Sequence, residues 1–248
     1  MTLNPRLLEE YLSAYPLSVH IFPQVASTNT TAWEILSRAH DPILVIAEAQ
    51  SEGRGQWGRQ WQSPKGGLYL SLAFDTALSN PANYPLVFAS GWGIATALRN
   101  KGLPVALKWP NDLMLEGRKL GGIKIESRGV YIVVGVGINW LNPVPGTGIN
   151  LASYESLLSL EELAALTTLG ILDGYDYYRR QGIEELLKVY TDLWINDRQK
   201  VIINGHEGTI IGVTQEGNLR VKLHSENAST VMTCPPGAVS LGYDQDRD

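Results

Sequence analysis

The order of strand-like and helix-like apolar runs constrains the fold of this chain more than any other feature. Runs such as SVHIF, LYLSLAF and VYIVVGVGI are typical of strands, and TTAWEILSR and PLVFASGWGIATALRN have helical spacing. The two kinds of run do not alternate strictly, as they would in a doubly wound parallel fold. We therefore expect an α+β fold in which a mixed sheet is covered by helices on one side.

The sequence changes character near Asp197. Downstream of it, short strand patterns such as KVIING and TVMTCPPGAVSLG are separated by glycine turns. This spacing is typical of small antiparallel β-barrels. We predict two domains, a larger one over residues 1–197 and a small C-terminal barrel over residues 198–248.

The composition excludes several classes of function. The net charge of −5 argues against broad electrostatic binding to DNA, whose phosphates require a basic surface. No apolar stretch approaches the roughly 18 residues of a membrane span, and the N-terminus lacks the pattern of a secretion signal. We expect a cytoplasmic protein without DNA or membrane partners.

The most informative segment is EGRGQWGRQW, residues 52–61. Its glycines allow backbone N–H groups to approach a ligand, and Arg54 and Arg59 offer forked donors for phosphate or carboxylate. The segment lacks the Gly-Lys-Ser/Thr ending of a P-loop and the glycine spacing of a dinucleotide fold. We interpret it as an anion-binding loop, with a flexible surface turn as the alternative.

A second group of polar residues surrounds the strand pattern VALKW. Pro110 ends that strand and leaves Asn111 and Asp112 at its end, where a carboxylate is suited to Mg²⁺, although Pro-Asn-Asp is equally an ordinary turn sequence. Lys119 then opens a strand in which two glycines leave room for a ligand. Its ammonium can neutralise a carboxylate that would otherwise repel a triphosphate, whereas exposure to solvent is the commoner fate of a strand lysine.

Two further glycines interrupt the apolar strand VVGVGIN at Gly135 and Gly137. Glycine weakens a strand, so its presence indicates that something lies close to the sheet. A bound ligand and a tightly packed helix are both compatible with this pattern.

Taken in order, these motifs resemble those of the biotin protein ligases, also called biotin–[acetyl-CoA-carboxylase] ligases. The resemblance runs over nearly the whole chain, and the C-terminal barrel resembles the SH3-like domain of that family. It rests on Ser27-Thr28-Asn29, on Gln50 with GRGQWGRQW, and on KWPNDL, RKLGGIKIE and GVGINW.

The resemblance implies roles for individual residues. Lys119, Arg54 and Asp112 are the implied catalytic set, in which Lys119 bridges the biotin carboxylate and the α-phosphate and Asp112 is the metal ligand. The implied binding residues for biotin and ATP are Ser27, Thr28, Asn29, Gln50, Gly53, Arg54, Gly55, Gln56, Arg59, Trp61, Asn111, Lys119, Gly121, Gly122, Gly135, Gly137 and Asn139.

The resemblance also implies a reaction with ATP, biotin and Mg²⁺. Biotin would be activated to biotinoyl-AMP and transferred to a lysine of the biotin carboxyl carrier protein of acetyl-CoA carboxylase. By the same resemblance, we expect the enzyme to be a homodimer. The twenty-six residues before Ser27 are too few for the N-terminal DNA-binding domain of the family's repressors. Gln56 stands where the family loop often has a second arginine, so we hypothesise that other contacts, such as Trp57, retain the adenylate, or that it leaks.

Two other functions remain open. A lipoate or octanoate ligase shares the fold and the adenylation chemistry, but its substrate has no ureido group to match Ser27, Thr28 and Gln50. A non-catalytic binding module is the second alternative, since fold does not guarantee activity. The presence of Lys119 and Asp112 argues against that module.

Overall fold

A seven-stranded mixed sheet forms the centre of the larger unit. In this computed structural model, the structure describes residues 3–38, 42–76, 83–224, 229–239 and 241–242, the side chains of 155–157 excepted. The strands are β1 (Ser18–Phe22), β2 (Ile43–Ala47), β3 (Leu68–Asp75), β4 (Ala106–Lys108), β5 (Asp112–Leu115), β6 (Arg118–Arg128) and β7 (Tyr131–Ile138). Their order is β1-β2-β3-β7-β6-β5-β4, and only β1 and β2 pair in parallel.

Helices cover both faces of this sheet, but unequally. They are α1 (Pro5–Tyr11), α2 (Thr28–Leu36), α3 (Asn83–Asn100) and α4 (Leu160–Thr191), with a 3₁₀ helix at Ala152–Leu157. Successive strand residues point to opposite faces, so Leu44 and Ile46 join the large core with α3 and α4, while Ile43 and Val45 pack with α2. The mixed α+β sheet is confirmed with its two long helices on one side, and the short α2 is an addition on the other.

Particular residues explain the start of α1 and the interruption of α4. Asn4 caps α1, because its side-chain oxygen accepts hydrogen bonds from the backbone N–H groups of Arg6 and Leu7. The long α4 is interrupted at Gly182, whose φ of 79° and ψ of 177° are not helical. The segment therefore contains two helical pieces.

A second sheet follows α4. It consists of β8 (Lys200–Ile203), β9 (His206–Val213), β10 (Leu219–His224) and β11 (Ser229–Cys234), all antiparallel in the order β11-β10-β9-β8. This arrangement is consistent with the SH3-like domain that the resemblance implies. The boundary between residues 197 and 198 stays a prediction.

The small sheet packs against the connection between β4 and β5. Trp109 lies in that connection, and its indole Nε1 donates to the carbonyl of Gly217, 3.0 Å away. Its backbone N–H donates to Asn196 Oδ1 at 2.9 Å. The C-terminal unit is thereby held beside the end of β4, where Asn111 and Asp112 lie. Within the described ranges, no helix has the length and apolar character that crossing a bilayer requires.

Candidate functional site

A cavity of about 270 Å³ lies on the α2 side of the large sheet. It brings together residues from α2, the loop after β2, the β4–β5 connection, β6 and β7. Of the residues predicted from the sequence, those that line it are Ser27, Thr28, Asn29, Gln50, Arg54, Gly55, Gln56, Arg59, Trp61, Asn111, Asp112, Lys119, Gly122, Gly135 and Gly137.

Three predicted residues do not line the cavity. A Cβ on Gly53 would lie 2.3 Å from the carbonyl oxygen of Trp61, so this glycine allows the loop to fold tightly on itself. Gly121 lies against Gly137, whose carbonyl oxygen would be 2.6 Å from an added Cβ. Asn139 is buried and donates through Nδ2 to the carbonyl of Ile149 at 3.2 Å. Each of the three supports the site from outside it.

A β-bulge explains why Gly122 faces the cavity and Gly121 does not. The pairing of β5 with β6 shifts at Leu120, so that Leu113 pairs with Gly121 while Met114 pairs with Lys119. A bulge reverses the alternation of side chains along a strand. As a result, Lys119 and Gly122 contribute to the same cavity although they are three residues apart.

One end of the cavity carries uncharged hydrogen-bonding groups centred on Gln50. Its Oε1 accepts from the backbone N–H of Thr28 at 2.9 Å and from the Thr28 hydroxyl at 3.2 Å, and its Nε2 donates to Ser63 Oγ at 2.8 Å. This network ties the loop to the start of α2. It also fixes the orientation of the Gln50 amide, because both of its ends are engaged.

Asn29 provides a buried donor in the same region. The hydroxyl of Ser71 lies 2.7 Å from Asn29 Oδ1 and 2.8 Å from Thr28 Oγ1. Asn29 Nδ2 is buried and has no hydrogen-bond partner within the described part of the chain. An unsatisfied buried donor is costly, so this amide is suited to a ligand acceptor. Ser71 was missed by the sequence analysis, and its signal was a serine inside the apolar run LYLSLAF.

Gly135 and Gly137 make room for side chains of the protein itself. A Cβ on Gly135 would lie 2.1 Å from Asn29 Oδ1, and one on Gly137 would lie 2.4 Å from Trp61 Nε1. The two glycines therefore admit an amide from a helix and an indole from a loop. The indole Nε1 of Trp61 is also buried without a partner among the described residues.

The other end of the cavity is charged. Lys119 Nζ lies 2.6 Å from Asp112 Oδ1, and the two side chains are 26% and 10% exposed. The ammonium also lies 5.4 Å from the ring centre of Trp61, within the range of a cation–π contact. Because this ion pair lies at the wall of the cavity, the ammonium of Lys119 can turn toward an incoming anion. This movement does not expose a new charge to an apolar surrounding. This pair is therefore suited to a negatively charged ligand.

The glycine-rich loop folds as a short hairpin over the cavity. Gly55 N–H donates to the carbonyl of Arg59 at 2.7 Å, and Trp61 N–H donates to that of Gly53 at 2.9 Å. Trp57 stands at the tip with φ of 51° and is 48% exposed. The guanidinium of Arg59 lies 5.8 Å from the Trp57 ring. Arg54 is largely exposed and lies 3.8 Å from Glu52, so its guanidinium can turn toward a ligand at small cost.

Several residues that line the cavity were not among the predicted site residues. They lie in the loop, the β4–β5 connection, β6, β7 and the C-terminal segment: Trp57, Gln60, Lys108, Trp109, Pro110, Ile123, Lys124, Val136, Gly237, Val239, Leu241 and Gly242. Lys108 is buried and donates through Nζ to the carbonyl of Gly242. The C-terminal residues had no sequence signal, because they were predicted to belong to a separate domain.

The side chains around Asp112 are compatible with an Mg²⁺ ion that binds together with a nucleotide. Asn111 precedes Asp112 at the end of the β4–β5 connection, and its Nδ2 donates to the carbonyl of Ile123 at 2.9 Å. In the ranges that the structure describes, no group of three or more His, Cys, Asp or Glu side chains forms a metal cage. Mg²⁺ is commonly held by one carboxylate together with substrate phosphates, which fits this sparse set.

Fold and cavity together define an α+β enzyme domain with room for one uncharged hydrogen-bonding group and one anionic group. Residues 21–140 match the model of the biotin/lipoate A/B protein ligase family. The bifunctional ligase/repressor BirA of Escherichia coli is 32% identical over 219 residues, which cover 82% of this chain and 68% of that protein. The chain therefore belongs to this family.

Two other relatives extend the comparison. The chloroplastic biotin–protein ligase 1 of Arabidopsis thaliana is 29% identical over 222 residues, 79% of this chain; the chain spans only 60% of the length of that relative. The structure of the biotin protein ligase from Aquifex aeolicus in complex with biotin and ATP superposes with a TM-score of 0.67 at 23% identity, covering 87% of this chain and 99% of the other. The fold is thus that of a biotin protein ligase.

Proposed function

We propose that this protein is a biotin protein ligase that activates biotin with ATP and transfers it to a lysine of a biotin carboxyl carrier protein. The observation that carries the proposal is a single cavity with an uncharged network at Gln50 and Asn29 and an ion pair of Lys119 with Asp112 at the other end. Family membership and a relative solved with biotin and ATP support it.

The uncharged end suits the ureido ring of biotin. Asn29 Nδ2 is a buried donor that needs an acceptor, such as the ureido oxygen. Ser27 and Thr28 are buried at the same end and offer hydroxyls that donate or accept. The indole of Trp61 provides apolar surface for the valeryl chain.

The charged end suits the reaction itself. The biotin carboxylate attacks the α-phosphorus of ATP, the bond to the bridging oxygen of the β-phosphate breaks, and pyrophosphate leaves. Lys119 offsets the repulsion between the two anions, and Arg54 and Arg59 are placed on the loop to contact the phosphates. The amine of the acceptor lysine then attacks the acyl carbon, loses a proton, and releases AMP. No covalent bond to the enzyme is required.

Mg²⁺ would be held by Asp112, with Asn111 beside it. The ion supplies charge neutralisation for the triphosphate when it is bound. Asp112 pairs with Lys119 at 2.6 Å, so a metal there would free the ammonium for the substrates. We further propose a cytoplasmic location, no DNA partner, and a homodimer as the working assembly.

Lipoate is a weaker candidate substrate for this cavity. The family that the chain matches includes lipoate ligases, and their substrates share a carboxylate on an alkyl chain. The lipoyl ring offers no hydrogen-bonding partner to Asn29 Nδ2, which would stay buried and unsatisfied. Such a loss discriminates strongly between substrates.

Biotin-dependent release of pyrophosphate from ATP and Mg²⁺ is the decisive measurement. We expect release with biotin and none with lipoate or octanoate. Lys119→Ala should lower the rate by roughly 10²–10³-fold, because one fixed charge at the reacting atoms is removed. Transfer is then followed by a streptavidin gel shift of a carrier domain.

Lys65→Ala is the matched control, since Lys65 is exposed, pairs with Glu48 at 3.0 Å, and does not line the cavity. It should leave the rate unchanged. Pyrophosphate release that needs no biotin, or that lipoate supports, contradicts the proposed substrate. A folded protein that does not bind biotin at all contradicts the proposed function.

A further inference from the structure

Lys124 on β6 makes a long-range contact with the glycine-rich loop. Its Nζ donates to the carbonyl oxygen of Gly55 at 3.1 Å, across 69 residues of sequence. The side chain is 27% exposed and lines the cavity. The carboxylate of Glu126 is also near, but at 3.7 Å it is farther from the ammonium than Gly55 is. The loop carbonyl is therefore the closer partner of this charge.

A second contact joins the loop to the same strand. Gln56 Nε2 donates to the carbonyl of Ile123, at a longer distance of 3.4 Å. The two contacts are adjacent on both sides, since Gly55 and Gln56 are neighbours in the loop and Ile123 and Lys124 are neighbours on β6. Together they hold the loop to the sheet at two points, of which the charged one is shorter.

Lys124 also occupies a boundary between two cavities. A smaller cavity lies behind the loop, toward the start of α3, and it shares Gln56, Trp57 and Lys124 with the main one. The loop and this lysine thus form the wall between the two cavities. If the wall moved, the main cavity would open on that side, and a bound ligand would be less enclosed.

We infer that Lys124 is a positioning residue that latches the loop over the cavity and so retains the bound substrate. The retention of substrate rests on the proposed function, whereas the contact between Lys124 and the loop does not. The charged hydrogen bond from Lys124 holds the carbonyl of Gly55 in the loop. Gly135, the residue of β7 that pairs with Lys124, leaves space for Asn29 on the same side of the sheet. The latch therefore lies beside the uncharged end, where biotin is proposed to bind.

Limited trypsin digestion tests the latch without any substrate. Trypsin cleaves after Arg54, and the bond cut there is the one to Gly55, whose carbonyl Lys124 holds. Lys124→Met keeps the alkyl stem and removes the ammonium. A charge-assisted hydrogen bond at a partly exposed site corresponds to about a tenfold effect, so cleavage at this bond should be about tenfold faster. Lys124→Arg should restore protection.

Kinetics of the biotin-dependent reaction test the functional half. Lys124→Met should raise the KM for biotin about tenfold while kcat for pyrophosphate release changes less than about threefold, because the residue encloses the substrate and does not touch the reacting atoms. Gln56→Ala should change both readouts in the same direction but less, since its contact is longer. Lys188→Met, on the exposed surface of α4, is the control and should change neither.

Equal cleavage of the Arg54–Gly55 bond in the wild-type protein and Lys124→Met would overturn the latch, and so would a failure of Lys124→Arg to restore protection. Faster cleavage with an unchanged KM would overturn the retention of substrate while leaving the loop contact in place. If the wild-type protein releases no biotin-dependent pyrophosphate, the proposed function fails, and the digestion still decides the latch. Thermal unfolding of each variant separates a local effect from general loss of structure.

Discussion

Gly135 and Gly137 show, at the scale of single residues, how a missing side chain shapes a cavity. The sequence indicated that something lies close to these glycines, and left a ligand and a packed helix as alternatives. The structure places Asn29 over one and Trp61 over the other. Both side chains carry a buried donor without a partner in the described residues, so the glycines act on a ligand indirectly, through the groups that they admit.

Gly137→Ala should weaken biotin binding without unfolding the protein. The new methyl group would lie 2.4 Å from Trp61 Nε1, so the indole must leave its position in the wall of the cavity. Forced repacking of this kind costs about 1–3 kcal/mol, and we expect the Kd for biotin to rise about tenfold or more. Titration calorimetry measures this, with circular dichroism to verify the fold. An unchanged Kd would show that Trp61 does not contribute to the binding surface.

The sequence predicted most of the residues that meet in the cavity, because they belong to the ordered motifs on which the family resemblance rests. It could not separate Gly122 from Gly121, since the bulge at Leu120 that reverses the alternation leaves no mark in the residue types. Gly53 and Asn139 were included because they belong to the motifs GRGQWGRQW and GVGINW, on which the resemblance rests. Their partners, the carbonyls of Trp61 and Ile149, are backbone groups that a sequence pattern does not reveal.

At the scale of elements, glycines also determine how the two long helices meet. A Cβ on Gly93 of α3 would lie 1.9 Å from the carbonyl oxygen of Gly170 of α4, and one on Gly174 would lie 2.0 Å from that of Ala89. The helices therefore approach with their backbones in contact. Glycine in a helix is normally unfavourable, so its use here indicates that this close approach outweighs the loss of helix propensity.

Gly93→Ala should destabilise the fold, while Gly91→Ala on the same helix should not. The added methyl of the first would meet the α4 backbone, which cannot turn aside, whereas that of the second finds its nearest atoms at an ordinary 3.5 Å. We expect Gly93→Ala to lower the free energy of unfolding by at least about 1–3 kcal/mol, and Gly91→Ala to leave it unchanged or raise it by up to about 1 kcal/mol. Urea denaturation compares the two. Equal effects would contradict backbone contact between the helices.

The sequence predicted the other strands of the large sheet, with β2 indicated by the run ILVIAEAQ, but missed β5. Pro-Asn-Asp was interpreted as the end of a strand or a turn, whereas the chain reverses over Trp109–Asn111 and Asp112 already pairs with Lys108 as the first residue of the next strand. The connection is only three residues long, and both flanking strands are short. Short strands contain too few residues to show a periodicity in the sequence.

At the scale of the whole molecule, the two sheets share one apolar core. Val201, Ile210 and Val221 of the smaller sheet belong to the same cluster as the residues under α3 and α4. Trp109 and Lys108 add polar contacts to Gly217 and Gly242. The C-terminal unit is consequently part of the wall of the cavity.

Two buried tyrosines of the core should make the protein lose stability at alkaline pH. Burial raises the pKa of Tyr69 above its usual value of 10.0, and burial followed by the negative charge of Asp112 raises that of Tyr190. A tyrosine whose pKa is higher in the folded state than in the unfolded state contributes to stability. This contribution is fully present below pH 10 and is lost as the pH rises toward the pKa of the folded state. The midpoint of urea unfolding should therefore fall above about pH 10.

Tyr69→Phe and Tyr190→Phe separate the two contributions. Each variant should show a shallower fall in stability at high pH than the wild-type protein. Tyr69→Phe should also be less stable at neutral pH, because its hydroxyl donates to the carbonyl of Pro64 at 2.7 Å. The same alkaline slope in all three proteins would mean that these hydroxyls do not ionise on unfolding in that range.

The position of Trp61 between Gly137 and Lys119 gives the molecule an optical reporter of its own. An indole 5.4 Å from an ammonium emits in the field of that charge, and any ligand that draws the lysine away alters the field. Biotin contains no aromatic ring, so a change in emission on its addition arises from the protein. Occupancy could then be followed in real time on unlabelled material, with a Trp61→Phe variant supplying the background from the remaining tryptophans.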